Sequence, residues 1–269
     1  MSLRESVAGR SAETLAATDT AAPRSPEAQS MNRTAQLLCA WGGPLMIFFF
    51  GIGSVWLARY FPPEILPGDS AQTVADFYVK HTTRIRIGLI FTACAYGLMG
   101  TWGVAMAVQT RRKEGAFPVL TYVQLTGMAT GTAQIVVMAG VWAAAAFRPG
   151  EISPEITQTL NDLGWMLLLG TWMPFTIWAI ALGLAILMDK TNEPAFPRWS
   201  GYLSIWTGIL YIPGSGAWFF KGGAFGWNGI IALWEVFIIF GIWVVTFSYL
   251  SMRNVRRGLV HSQDLPAER

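Results

Sequence analysis

Apolar residues in this chain fall in runs longer than a soluble core uses. Six stretches are predominantly apolar: Ala35 to Arg59, Ile85 to Gln109, Val119 to Phe147, Leu163 to Met188, Trp199 to Phe220 and Asn228 to Met252. At 1.5 Å per residue, about 20 such residues cover the roughly 30 Å hydrocarbon layer of a bilayer. Backbone N–H and C=O groups find no partner in lipid, so each run is expected to pair them internally as a helix. The pattern predicts an all-α integral membrane protein, a six-transmembrane-helix bundle at 35–252 between polar cytoplasmic tails at 1–34 and 253–269.

The longest interruption lies between the first two runs. Val74, Phe77, Tyr78 and His81 recur there at helical spacing, behind an Asp69 or Ser70 able to cap a helix. They predict a short interfacial helix in the first outer loop, preceded by an extended stretch at Pro62, Pro63 and Pro67. Residues 1–34 scatter Arg4, Glu5, Arg10, Glu13, Asp19, Arg24, Glu27 and Arg33 among Ala, Ser, Thr and Pro, without an apolar core. That composition reads as a disordered tail and not as a signal peptide.

Composition agrees with the pattern: of 269 residues, 53% are hydrophobic and 13% charged, about half the charged share of a soluble domain. A net charge of +3 and a pI near 9.0 raise the question of nucleic acid. The cations are spread over short loops, however, so a membrane-orienting role is expected and nucleic-acid binding is not. Of the 19 cations, thirteen fall on one side of the predicted bundle: Arg4, Arg10, Arg24, Arg33, Arg111, Arg112, Lys113, Lys190, Arg198, Arg253, Arg256, Arg257 and Arg269. Arg59, Lys80, Arg84, Arg86, Arg148 and Lys221 fall on the other. The excess marks the cytoplasmic side, placing both termini inside (N-in/C-in) with three hairpins opening outward. Among the 13 Trp, Trp165 and Trp227 are expected at the interface. Asn161 and Asp162 are expected to cap the fourth span. Cys39 and Cys94 lie inside apolar runs and read as small buried hydrophobes, with neither disulfide nor metal spacing.

Candidate chemistry centres on Glu235, the acidic residue set well inside a predicted span, in IIALWEVFIIFG. An unpaired carboxylate in a bilayer costs about 2.5 to 3.5 kcal/mol on insertion scales, so it is expected to be paired, protonated or facing a wet cavity. Helical spacing groups it with Asn228, Ile231, Ile242 and Thr246 on a face read as bundle-facing. Arg86 and Lys221 are its candidate counter-charges, and Asp162 and Asn228 complete a set of ligand-binding or ion-pair candidates at the outer rim. Arg86 shares a stripe with Ala93, Gly97, Gly100, Val104 and Ala107, and Gly127 and Gly131 form a GxxxG, so all four glycines are read as helix-packing positions. Gln124 and Gln134 fall on the same arc as that GxxxG. Pro174 and Pro213 are expected to kink or break the fourth and fifth spans and free carbonyls there.

Several chemistries are excluded. His81 and His261 are the two histidines, too few and too far apart for a bis-His haem or a His-rich di-iron site. The chain carries no GxSxG, HExxH or P-loop, and no mid-membrane Lys for a retinal Schiff base. No metal and no cofactor is expected.

The segments TTRIRIG at 82–88, FRPGEISPEITQTLNDLGW at 147–165, FPRWSGYLSIW at 196–206 and FKGGAFGWNG at 220–229, the last leading to Glu235, resemble a family of uncharacterised bacterial six-transmembrane-helix inner-membrane proteins. The resemblance covers nearly the whole membrane domain. It implies a bacterial inner-membrane location and the same layout, but no activity.

Three functional readings stand at this point. The first is a protein of the lipid bilayer that binds an apolar or amphipathic small molecule, or a membrane protein partner, in the outer half of its bundle, with Glu235 and Arg86 at the polar end. The second is a small proton-coupled secondary transporter in which Glu235 carries the proton. An enzyme acting on a lipid-like substrate is the third and weakest, because no second carboxylate or nucleophile accompanies Glu235 in mid-membrane.

Overall fold

The structure is a computed structural model that describes residues 26–111, 114 and 117–257. The described residues are all helical in architecture, without a strand. In chain order the α-helices are α1 (Pro26–Phe50), α2 (Ala71–Arg111), α3 (Val119–Ala145), α4 (Pro154–Leu169), α5 (Met173–Met188), α6 (Arg198–Leu210) and α7 (Val236–Arg256). A π-helical segment, Gly51–Leu57, continues α1, and another, Ile230–Glu235, leads into α7. α6 tightens into a 3-10 segment at Ile212–Trp218. Five stretches are long and apolar enough to cross a membrane: Ser30–Leu57, Ala71–Arg111, Val119–Ala145, Pro154–Met188 and Gly223–Arg256. The predicted fifth run, at 199–220, is not one of them, because its α-helix stops after 13 residues.

Helix boundaries follow local chemistry. Pro154 and Glu155 open α4 behind Ser153, whose Oγ accepts the Ile156 N–H. At the start of α3 the Glu114 carboxylate accepts the Leu120 N–H at 2.7 Å and the Thr121 hydroxyl at 2.5 Å, a negative charge where the helix dipole favours one. Pro174 sits at the start of α5, and the backbone breaks between Leu169 and Met173. Three carbonyls around the break accept side-chain donors from other elements. Gln134 Nε2 donates to Leu167 O at 2.9 Å, Ser215 Oγ to Gly170 O at 2.9 Å and Trp218 Nε1 to Met166 O at 3.1 Å. These bonds tie α3 and the 3-10 segment after α6 to the break.

The interfacial helix is not a separate element. Ser70 Oγ accepts the Thr73 N–H as an N-cap, but the helix it starts runs 41 residues without interruption to Arg111, about 60 Å. Val74, Tyr78, Ile85, Leu89, Thr92, Tyr96, Met99 and Met106 are all buried along it. These positions keep one 3.6-residue phase across the predicted boundary, so nothing stops the helix at His81. α1 likewise begins at Pro26, inside the predicted tail, whereas residues 1–25 and 258–269 lie outside the described residues.

Contacts sort the connections to two ends of the bundle. At one end Trp227 Nε1 donates to Ile65 O at 3.1 Å and Gln158 Nε2 to Asp69 O at 2.9 Å, joining residues 219–229, the start of α4 and residues 58–70. At the other, Asn254 Nδ2 donates to Gln109 Oε1 at 3.1 Å and also to Ala195 O, joining the ends of α7 and α2 to the α5–α6 connection. Between them the core is aromatic. Trp102, Trp178 and Trp243 pack edge to face with centroids 4.9 to 5.5 Å apart.

Gly127 and Gly131 lie where α3 meets α5: a Cβ at Gly127 would come within 2.8 Å of Pro174 O, and one at Gly131 within 2.8 Å of the Phe175 ring. Gly97 and Gly100 are not packing positions. A Cβ at Gly97 would meet nothing within 4 Å, and one at Gly100 only Thr132 at 3.9 Å. Their stripe faces outward with Val104, whereas α2 makes its close approaches through Gly88 and Gly103. Small size alone does not choose the face, because the buried side of α2 is built to fill space with Tyr, Met and Trp. Cys94 sits on the outward side and Cys39 is half-buried, so neither is a core residue.

Candidate functional site

The five predicted site residues do not converge. Arg86 is turned to the end of α3, where its Nε donates to Ala146 O at 2.9 Å and its Nη2 to Phe147 O at 2.6 Å. It serves the unpaired C-terminal carbonyls of that helix and makes no ion pair with Glu235. Glu235 is half-buried at the end of the π-helical lead into α7 and takes no hydrogen-bond or ion-pair partner among the described residues. The π-helical segment shifts the phase of the helix. The stripe drawn through Asn228, Glu235 and Ile242 therefore fails as a buried face, and Ile242 is exposed while Val236, Trp243, Val244 and Phe247 are buried. Asn228 is half-buried and Lys221 exposed, near enough to Asp162 for its charge to act there.

Asn161 and Asp162 do not cap a helix, because α4 starts at Pro154 and places them at its middle. Asn161 is fully buried: its Oδ1 accepts the Tyr78 hydroxyl at 3.2 Å and its carbonyl accepts Trp142 Nε1 at 3.2 Å. The Tyr78 and Tyr60 hydroxyls are 3.1 Å apart, and the Tyr60 ring stacks on Trp142 at 4.0 Å. Burial, reinforced by Tyr78, pushes the Tyr60 phenol well above its ordinary value. Trp165 and Trp227, expected at the interface, are buried in the same cluster and stack at 5.8 Å. This end of the bundle is a closed polar and aromatic seal.

The space open to a ligand lies elsewhere. A cavity of ≈ 320 Å³ is enclosed by Met46, Ile47 and Phe50 of α1, Tyr96 of α2, Ile135 of α3, Leu168 of α4, Trp172 and Phe175 at the α4–α5 break, and Phe237, Phe240, Gly241 and Val245 of α7. Its walls are rings: Phe237 lies 5.8 Å from Phe50 and 6.0 Å from Trp172, and Phe240 lies 5.8 Å from Trp172. Ile47 and Val245 are 41% and 60% exposed, so the cavity opens sideways through the seam between α1 and α7. Local structure makes the room. The two π-helical segments adjoin Phe50 and Phe237, the break at 170–172 sets Trp172 inward, and a Cβ at Gly241 would meet nothing within 4 Å.

The Tyr96 phenol and Trp172 indole are the polar groups on this lining, and Trp172 Nε1 is buried without a partner. Glu235 and Arg86 do not line it. Residue pattern alone does not mark the cavity, because its lining is almost wholly apolar and carries no charged group. The available signal was the aromatic spacing of Phe237 and Phe240 beside Gly241. Among the described residues no group of three or more His, Cys, Asp or Glu is placed to hold a metal ion.

No protein family matches the chain, and neither curated proteins nor solved structures give a match. These comparisons do not bear on the resemblance to the bacterial six-span family.

Proposed function

We propose that this chain is a multi-pass membrane protein that holds the apolar part of a small amphipathic molecule in the cavity between α1 and α7. The cavity carries the reading: ≈ 320 Å³ of aromatic-lined space is about twice the volume that accepts a benzene ring and lies within the range of small-molecule sites. Its mouth faces where lipid would lie, so an apolar ligand enters from the bilayer without crossing water. Six crossings with both ends in the cytoplasm are part of the proposal. The 13 residues of α6 and the seven of the following 3-10 segment together reach about 34 Å, enough for the hydrocarbon layer. The cation asymmetry supplies the orientation, and a bacterial inner membrane is the location that the family resemblance implies.

Proton-coupled transport has less support, because Glu235 lies off the cavity wall. The test is retention of small molecules by detergent-purified protein, read by mass spectrometry of the extract. Gly241→Leu fills open space without a clash. It is expected to cut the amount of co-purifying apolar molecule roughly tenfold, the effect of about 1.4 kcal/mol in binding, at unchanged expression. Unchanged retention overturns the proposal.

A further inference from the structure

α7 ends in a cluster of three cations, Arg253, Arg256 and Arg257. None makes an ion pair or a side-chain hydrogen bond among the described residues, and Arg253 Nε is buried with no acceptor. A buried guanidinium N–H without an acceptor is costly, and a bound anion would satisfy it. With Trp41 of α1 and with Tyr249 and Met252, the three arginines line a groove of ≈ 480 Å³. Trp41 and Tyr249 are both exposed, as aromatic residues are at the boundary between acyl chains and headgroups. On the far side of the same turn the bonds from Asn254 to Gln109 and Ala195 fix α7 against its neighbours, so the groove is held in place.

One face of α7 runs from the cavity to the groove. At 100° per residue Gly241, Val245, Tyr249, Met252 and Arg256 fall within an arc of about 80° on α7, leading from the cavity lining to the arginines. Gly241 and Arg253 are about 18 Å apart along the helix axis. One leaflet of hydrocarbon is about 15 Å deep. A phosphate held at the arginines therefore sits at the right distance for its own acyl chain to end among Phe50, Phe237 and Phe240.

Resting on the cavity reading, we propose that the molecule bound is an anionic phospholipid, with its phosphate at Arg253, Arg256 and Arg257 and one acyl chain along the α1–α7 seam. The polar end thus lies at the chain-terminal end of the bundle and not at Glu235 and Arg86. A free phosphate would satisfy the arginines but leave the seam and cavity unused, whereas a phospholipid fills all three.

The full chain in detergent is offered equal amounts of dioleoyl phosphatidylglycerol and dioleoyl phosphatidylcholine, and native mass spectrometry counts the lipid retained. Retention of phosphatidylglycerol over phosphatidylcholine by roughly tenfold is expected. R253Q/R256Q/R257Q is expected to abolish the preference, R253K/R256K/R257K to keep most of it, and R148Q, at the opposite end, to leave it unchanged. Equal retention of the two lipids by the unaltered chain, or an undiminished preference in the glutamine variant, overturns the headgroup assignment and leaves the cavity reading standing. Loss of bound phosphatidylglycerol on adding equimolar inorganic phosphate overturns the lipid in favour of a free anion. A preference that falls in the glutamine variant while G241L retains as much lipid as the unaltered chain overturns the joined site, and the cavity reading with it.

Discussion

The contact between α3 and α5 and the seam between α1 and α7 solve opposite problems. At the first, Gly127 and Gly131 bring backbone against the Pro174 carbonyl and the Phe175 ring, leaving no room for a methyl group. At the second, Phe50 and Phe237 meet at one end while Gly241 faces open space and Val245 is exposed. The first contact is bought by removing side chains. Without a hydrophobic driving force between helices in lipid, dispersion at close approach is what holds such a pair. The second sets large rings beside turns of π-helix and a glycine that faces open space, so contact is incomplete and a cavity remains. A bundle tight on one side and incomplete on the other can bind a ligand without losing its fold.

The largest expected effect comes from breaking the tight side. Gly131→Leu places a side chain where the Phe175 ring stands 2.8 Å from the would-be Cβ. It should destabilise the bundle by about 1 to 3 kcal/mol or more, seen as a lower midpoint of thermal unfolding in detergent. Gly97→Leu on the outward stripe serves as the comparison and should leave that midpoint in place, since a Cβ there meets nothing within 4 Å.

A smaller loss is expected at the end of α3. Arg86→Ala removes both donors from the Ala146 and Phe147 carbonyls, and because the guanidinium is largely exposed the cost is about 0.5 to 1.5 kcal/mol. Faster amide exchange in the last turn of α3 would show where the loss falls, and an unchanged exchange rate would mean that the guanidinium does not hold that turn. Least of all is expected from Glu235→Gln. With no partner in the structure, the substitution should change stability by less than about 0.5 kcal/mol, and ligand retention not at all. Strongly reduced retention or proton-driven flux would return Glu235 to the site and favour the transporter reading.

Much of the architecture was legible in the hydrophobic pattern, and the errors share a cause. Runs of apolar residues mark helices in lipid whatever their neighbours, because backbone pairing is local. The positions of Pro174 and Pro213 likewise mark the breaks, since proline lacks the N–H that a helix needs. Which face of a helix is buried is not a local matter. Gly97 and Gly100 look like a packing face, yet α2 turns Leu89, Tyr96, Met99 and Met106 inward. Trp165 and Trp227 carry the composition of an interface belt and are buried against each other. Arg86 and Glu235 are the charges available to one another along the sequence, but the unpaired carbonyls at the end of α3 take the arginine.

The sequence by itself determined that the chain is helical, the breaks at Pro174 and Pro213, and the uneven placing of its cations, because these depend on short-range backbone chemistry and on counting. Only the tertiary structure decided that the space for a ligand lies between the first and last helices. That cavity is made from side chains on six α-helices and from Trp172 at the break between α4 and α5, beside two π-helical segments and one glycine with open space around it. No residue in it is unusual alone.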